Sequence, residues 1–250
     1  MANFALEIIY DGTAYHGWQR QNNGITVQEV VENTLSRLTG EEISVQGCSR
    51  TDSGVHALSY ILNFHSDTKI IPEKIVMAFN NLSGVTDIRA KSCKIVDDDF
   101  SARFSNDGKT YIYKIWNSKI QNPFTSKYSW YVPYQLDANE MKKAAKAFEG
   151  TYDFAGFMAQ GGSQKTTVRT VRRCEIYENY EWESQFALEI EADAFLYNMV
   201  RIITGTVVYC GMGKISSDDI PGIIKRCDRT LAGVTAPPSG LFLKEVKYEK

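Results

Sequence analysis

The chain has 250 residues, 43% of them hydrophobic and 23% charged, with 28 Lys+Arg against 30 Asp+Glu and a formal net charge of −2. That length holds one large domain or two modest ones, and the composition excludes a disordered tail, a collagen-like repeat and a coiled coil. The charge balance excludes a histone-like nucleic-acid coat and still leaves room for a local basic cleft. Cys48, Cys93, Cys174, Cys210 and Cys227 stand singly beside only three histidines, so neither a zinc site nor a disulfide framework is readable and a reducing compartment is expected. The opening MANFALEIIYDG lacks a basic n-region, and the most apolar stretch, Phe195 to Cys210, is interrupted by Asn198 and Arg201. No membrane contact is therefore expected, and the expected location is cytoplasmic.

Taken in chain order, Phe4, Leu6, Ile8 and Tyr10 share one side of an extended segment, the period-two mark of a strand over 3–10. DGTAYHGWQRQNNG is too polar and too rich in glycine to continue it. Thr26, with Glu29 three residues on, opens a helix whose stripe is Val27, Val30, Val31, Thr34, Leu35 and Leu38, and Gly40 is placed to stop it. Residues 43–46 read as a strand, 47–56 as a loop, and Leu58, Tyr60, Leu62 and Phe64 as an alternating strand. Pro72 starts a helix carrying Ile75, Ala78, Phe79 and Leu82 inward, and a strand follows over 87–96.

This β-α-β-β-α-β order is the split βαβ arrangement, and the chain then runs through it again. A turn is expected at Asn106-Asp107-Gly108, followed by a strand with Tyr111, Tyr113 and Ile115. Asp137 and Glu140 form a capping box for a helix that buries Met141, Ala144, Ala145 and Phe148 and ends at Gly150. Strands over 168–177 and 186–191, a helix over 195–210, a shorter helix opened by Ser216 and Asp219, and a strand over 241–248 complete the second copy. The expected fold is α+β: two split-βαβ halves, 1–104 and 105–250, sharing a central, largely antiparallel sheet with helices on one face and a catalytic cleft on the other.

The first 104 residues hold 9 Lys+Arg against 13 Asp+Glu, and the remainder 19 against 17. KTTVRTVRR at 165–173 is the clearest basic segment, either a phosphate contact surface or a strand face balanced by the acids after Glu175. No GxSxG elbow, GxxxxGK[ST] loop or HExxH pair occurs, so no metal or nucleotide cofactor is expected. What stands out is GCSRTDSGVHAL at 47–58. It sets the Asp52 carboxylate beside Gly54, with Arg50 two residues away to pair with it or with a phosphate. Asp52 is a candidate nucleophile, base or electrostatic stabiliser; the alternative is an Asx-turn bonding its own backbone. His56 is either a substrate contact or a neutral histidine bonded within the loop.

Across nearly the whole chain, YDGTAYHGWQRQ (10–21), TVQE (26–29), RTDSGVHA (50–57), DDFSARF (98–104), KTYIYKI (109–115), FLYNMVR (195–201) and RTLAGVTAPPSGLFL (229–243) resemble, in order, the motifs of the tRNA pseudouridine synthase A family. Ser49, Ser53 and Tyr197-Asn198 depart from the commonest pattern, which has glycine, alanine and a nearby histidine; the Arg-Thr-Asp core is intact.

The resemblance implies isomerisation of uridine to pseudouridine at nucleotides 38, 39 and 40 of the tRNA anticodon stem-loop, by a homodimer without a cofactor. It implies that Asp52 is catalytic, Arg50 its neighbour in the RNA-distorting loop, Tyr111 the aromatic partner of the flipped base, and Arg201 the cation that holds the aspartate. Leu241 and Leu243 are candidate walls of the base pocket or plain core. Two rivals are a non-catalytic RNA-binding protein of related fold and a nucleoside glycosidase; the latter needs a second carboxylate facing Asp52, for which the acidic run Asp97 to Asp99 is available.

Overall fold

The alternating segment at the start of the chain is strand β1 (Ala2–Tyr10), and α1 (Val27–Thr39), β2 (Gln46–Gly47), β3 (His56–Ser66), α2 (Pro72–Leu82) and β4 (Ile88–Val96) follow it. Next come β5 (Asn106–Trp116), β6 (Trp130–Tyr131), α3 (Ala138–Lys146), β7 (Gly150–Asp153), β8 (Val168–Glu178), β9 (Gln185–Ala192), α4 (Met199–Gly211), α5 (Ile220–Arg226) and β10 (Leu241–Tyr248). The computed structural model describes residues 1–162 and 165–248. The fold is α+β, with mixed but mostly antiparallel pairing and five α-helices among the described residues. It divides into two units, Met1–Asp107 with Phe242–Lys250, and Gly108–Leu241.

In the first unit the strands lie in the order β4-β1-β3-β10, with β2 on the far half of β3; among the described residues of this unit the β3–β10 pairing is parallel and the others antiparallel. Phe4, Leu6, Ile8, Tyr60, Leu62 and Phe64 are buried in it, while Leu58 is exposed. Thr26 caps α1 as its sequence implies, its Oγ1 accepting from the Glu29 N–H at 3.3 Å, and Gly40 ends the helix at φ 75°. Residues 43–45 are not a strand, which corrects the expectation. Their backbone donors serve α1 instead: Ile43 N–H bonds Ser36 Oγ at 3.0 Å, and Val45 N–H bonds the buried carboxylate of Glu32 at 3.2 Å. Glu32 also accepts from Gln28 Nε2 at 2.9 Å and Arg20 Nη1 at 3.1 Å, which is what lets an acid sit inside the fold.

The turn expected at 106–108 lies earlier. Residues 102–104 reverse the chain, closed by Phe104 N–H and Ser105 N–H on Ser101 O, and Asn106 is already strand. The amide of Asn106 donates to the carbonyls of Ala102 and Arg103 at 3.1 and 2.8 Å, so it braces the turn from the first strand position.

In the second unit the order is β5-β9-β8-β7, antiparallel throughout, with β6 added parallel to β5. Asp137 caps α3 by accepting from the Asn139 and Glu140 N–H groups at 2.8 and 3.2 Å. The reciprocal half of the capping box is absent because Asp137 N–H donates to Gly211 O at 2.8 Å, and Glu140 accepts from Ser217 N–H instead. Helix α3 stops at its cap Ala147, and Gly150 opens β7, a strand without an apolar alternation to announce it. Helix α4 begins four residues later than expected because Asn198 stands at φ 60°, a left-handed conformation that no helix interior admits.

Within this unit α4 meets the loop after α5 at backbone distance. A Cβ at Gly205 would stand 1.8 Å from Val234 O, whereas one at Gly222 in α5 would meet nothing within 4 Å. Gly205→Ala is expected to lower the unfolding free energy by about 1–3 kcal/mol, and Gly222→Ala to raise it by about 0.5–1 kcal/mol. Denaturant titration of the two variants measures both; equal effects would contradict the packing described.

Candidate active site

In the first unit the Arg-Thr-Asp loop is held from below by the polar segment that follows β1. β1 shifts register against β3 between Ile8 and Tyr10, and the bulge turns the chain out of the sheet into that segment. Gly12 and Gly17 then bring backbone onto backbone. A Cβ on Gly12 would lie 2.0 Å from Val55 O, and one on Gly17, which sits at φ 84°, would lie 2.7 Å from Thr51 O. Trp18 N–H donates to Thr51 O at 3.1 Å, Gly54 N–H to Tyr15 O at 3.3 Å, and Ser53 Oγ to the same Tyr15 O at 3.1 Å. Val55 N–H closes a turn on Asp52 O at 3.1 Å, with Gly54 at φ 76° supplying the left-handed position.

Three aromatic rings form the floor. Trp18 stacks on Tyr60 with centroids 4.0 Å apart, and Tyr10 lies 5.6 Å from Tyr60. Their hydroxyls reach up to the loop: Tyr10 Oη pairs with Thr51 Oγ1 at 2.8 Å, and Tyr60 Oη donates to Ser49 O. His56 is a buried brace. Its Nδ1 takes the Gly12 N–H at 3.0 Å and lies 3.0 Å from Asp11 Oδ1, and its ring stacks on Phe242 at 4.6 Å. Tyr15 Oη donates to Asp87 at 2.6 Å; burial first, then that carboxylate, push its phenol upward. Above this floor Asp52 is half-buried and Arg50 exposed. The aromatic trio was not singled out from sequence, where the signal available was the pair of glycines in YDGTAYHGW; His56 was, as a substrate contact or a histidine bonded within its loop, and it is found buried against Gly12 and Asp11 of the preceding segment.

Tyr111, Arg201 and Leu241, to which the resemblance points, belong to the second unit. Tyr111 is buried on β5 opposite Ile190 of β9, its ring edge-on to Phe195 at 5.1 Å. Tyr113, two residues on, donates its hydroxyl to Pro237 O at 2.7 Å; burial holds its phenol well above the usual range, with the Arg201 charge pulling the other way. Arg201, in the first turn of α4, donates from Nε to Ala236 O at 2.7 Å and from Nη1 to Asn198 Oδ1 at 2.6 Å. Leu241 is buried at the start of β10, and Leu243 is buried with the first unit.

The basic segment is partly spent within the fold. Arg173 pairs with Glu189 and lies 3.9 Å from Glu175, while Arg172 lies 3.7 Å from Glu191. Among the described residues no group of three or more His, Cys, Asp or Glu is placed to hold a metal ion. Burial, followed by neighbouring carboxylates, pushes the Cys93 and Cys210 thiols up to about 12. No described helix is long and apolar enough to cross a membrane.

The family model for tRNA pseudouridine synthase matches residues 8–105 and 144–249. The chain is 48% identical over 248 residues to the tRNA pseudouridine synthase A of Thermoanaerobacter sp. (strain X514), and 46% identical over 248 residues to that of Ruminiclostridium cellulolyticum. Each match covers 99% of this chain and 100% of the relative. The chain belongs to the tRNA pseudouridine synthase A family, a family of isomerases.

The interlock at Gly12 makes a direct prediction. Gly12→Ala is expected to displace the 51–55 loop, lowering single-turnover pseudouridine formation at least tenfold, since small misplacements of a reacting group carry costs of this order. Quench-flow with enzyme in excess checks this; a parental rate would show that the loop is not held by this contact or that it takes no part in the reaction.

Proposed function

We propose that this chain converts uridine to pseudouridine at nucleotides 38, 39 and 40 of the tRNA anticodon stem-loop, with the Asp52 carboxylate as its catalytic group. The observation that supports this best is the Arg-Thr-Asp segment carried on a loop fixed by two glycine contacts and two tyrosine hydroxyls. Such a brace suits a carboxylate that must meet a reacting carbon in one geometry. The reaction breaks the N1–C1′ bond, turns the enclosed uracil and joins C5 to C1′. The C5 proton leaves and N1 gains one, so the atoms balance without an external reactant. The carboxylate serves by stabilising positive charge at C1′, by bonding to C1′ or C6, or by helping to remove a sugar proton.

The other roles follow the resemblance residue by residue. The target base lies in an RNA stem and must be flipped out, and the Tyr111 ring replaces part of the stacking lost. Arg50, exposed on the loop, contacts the RNA backbone, where a planar guanidinium matches phosphate. Arg201 supplies the positive charge of the site, and Leu241 an apolar wall for the base. We read residues 1–104 and 105–250 as two copies of one topological plan, since β5, α3, β8, β9, α4 and β10 repeat the β-α-β-β-α-β order of the first six elements. The working form is a homodimer in the cytoplasm, where its tRNA substrate is found; sedimentation at working concentration tests the dimer.

Asp52→Asn keeps the side-chain shape and removes the charge. Tritium release from tRNA carrying C5-tritiated uridine is expected to fall by several powers of ten, each about 1.4 kcal/mol of barrier, with tRNA affinity retained. Full release by the variant would refute the role of Asp52. Binding without release by the parent would favour a non-catalytic RNA-binding protein.

A further inference from the structure

Asn198 breaks a local rule. An asparagine just ahead of a helix ordinarily adopts an extended conformation and turns its side-chain oxygen onto the first free N–H groups of that helix. Here Asn198 stands at φ 60° and ψ 9°, and its side chain makes no capping bond to α4. Its Oδ1 accepts instead from Arg201 Nη1 at 2.6 Å, three residues along the same helix face. Arginine has donors and no acceptor, so the atom facing it must be the amide oxygen. Asparagine is one of the few side chains that tolerate the left-handed region, which accounts for the residue type at a position where the chain must turn into α4 with this bond in place.

A second acceptor holds the same guanidinium. Arg201 Nε donates to Ala236 O at 2.7 Å, and Ala236 N–H returns a bond to Arg201 O at 3.1 Å. The segment bearing Ala236 is itself pinned. Gly205 admits Val234 O at backbone distance, Gly233 N–H donates to Thr206 Oγ1 at 2.9 Å, and Arg229 donates to Gly233 O and Thr235 Oγ1 at 2.9 and 3.1 Å. Two acceptors, on Nε and on Nη1, fix both the plane and the roll of a side chain that is otherwise rich in rotamers. A conformation given up by the helix cap and used on one cation is the sign of a constraint set by function.

We propose that Asn198 is a positioning residue for the isomerisation: with the Ala236 carbonyl it fixes the direction of the Arg201 charge. The inference rests on the reading of Arg201 as a residue of the reaction, and the test separates the two. Asn198→Gly keeps the left-handed backbone, which glycine adopts freely, and removes only the acceptor. The full-length variant is compared with Arg201→Gln and with the double variant, reading the single-turnover rate at saturating enzyme, the tRNA Kd and the thermal midpoint.

Asn198→Gly is expected to slow the single-turnover step tenfold or more, with Kd within twofold of the parent and the midpoint not lowered. On the Arg201→Gln background it should cost nothing further, because the group it positions is gone. A parental rate for Asn198→Gly beside a slow Arg201→Gln would overturn the positioning role. A loss in affinity or midpoint at an unchanged rate would make the contact merely structural, and additive losses in the double variant would show that Asn198 acts elsewhere. A parental rate for Arg201→Gln would instead overturn the reading of Arg201 on which the inference rests.

Discussion

The backbone of residues 11–18 lies directly on the backbone of residues 49–55, and the properties of the candidate catalytic loop depend on that contact. A loop carrying an aspartate in water has many conformations. Here its carbonyls and amides are consumed from beneath, with Thr51 O taking the Trp18 N–H and Gly54 N–H going to Tyr15 O. Gly12 and Gly17 make the approach possible, since any side chain at either position would occupy space already filled by backbone. The bulge in β1 delivers the segment to this place, and Tyr10 and Tyr60 finish the brace with hydroxyls that are satisfied although their rings are buried. Each of those bonds is worth about 0.5–1.5 kcal/mol; their joint effect is to leave the loop one shape.

The second unit uses the same device with different residues. Gly205 admits the carbonyl of Val234, as Gly12 admits that of Val55, and Tyr113 donates to Pro237 O, as Tyr60 donates to Ser49 O. In each case a glycine permits backbone contact and a buried tyrosine ties down a loop carbonyl. Asp52 lies on the loop held in this way in the first unit, and Arg201 lies on α4, against the loop held in this way in the second. Precision at both comes from packing beneath the loop, where mutation is expected to act on rate through geometry.

Much of the fold was legible because local signals agreed with their surroundings. Thr26 and Gly40 mark both ends of α1, Pro72 marks the start of α2, and the apolar run from Leu241 marks β10. What was not legible had tertiary causes. Residues 43–45 look like a strand, yet their donors are claimed by Ser36 and by the buried Glu32, a partner sequence gives no reason to place inward. Strand β7 is mostly exposed and has no alternation to display. The capping box at Asp137 fails by one bond because Gly211, distant in sequence, takes the donor. At the site, the Arg-Thr-Asp segment drew attention by composition and resemblance, but the trio beneath it and the turn at Asn198 did not. Tyr10 and Tyr60, on strands, read as core, Trp18 lies in a polar segment that announces no partner, and a left-handed asparagine is visible only as a dihedral.

The bonds beneath the aspartate loop make it as rigid as the sheet that carries it. Native-state hydrogen exchange tests this most directly, read at the amides of Trp18, Gly54 and Val55, which donate across or within the loop pair. The structure predicts that these amides exchange with the same free energy as those at the centre of β1 and β3, opening only when the first unit unfolds. Exchange through small local openings, orders of magnitude faster than in those strands, would contradict the account.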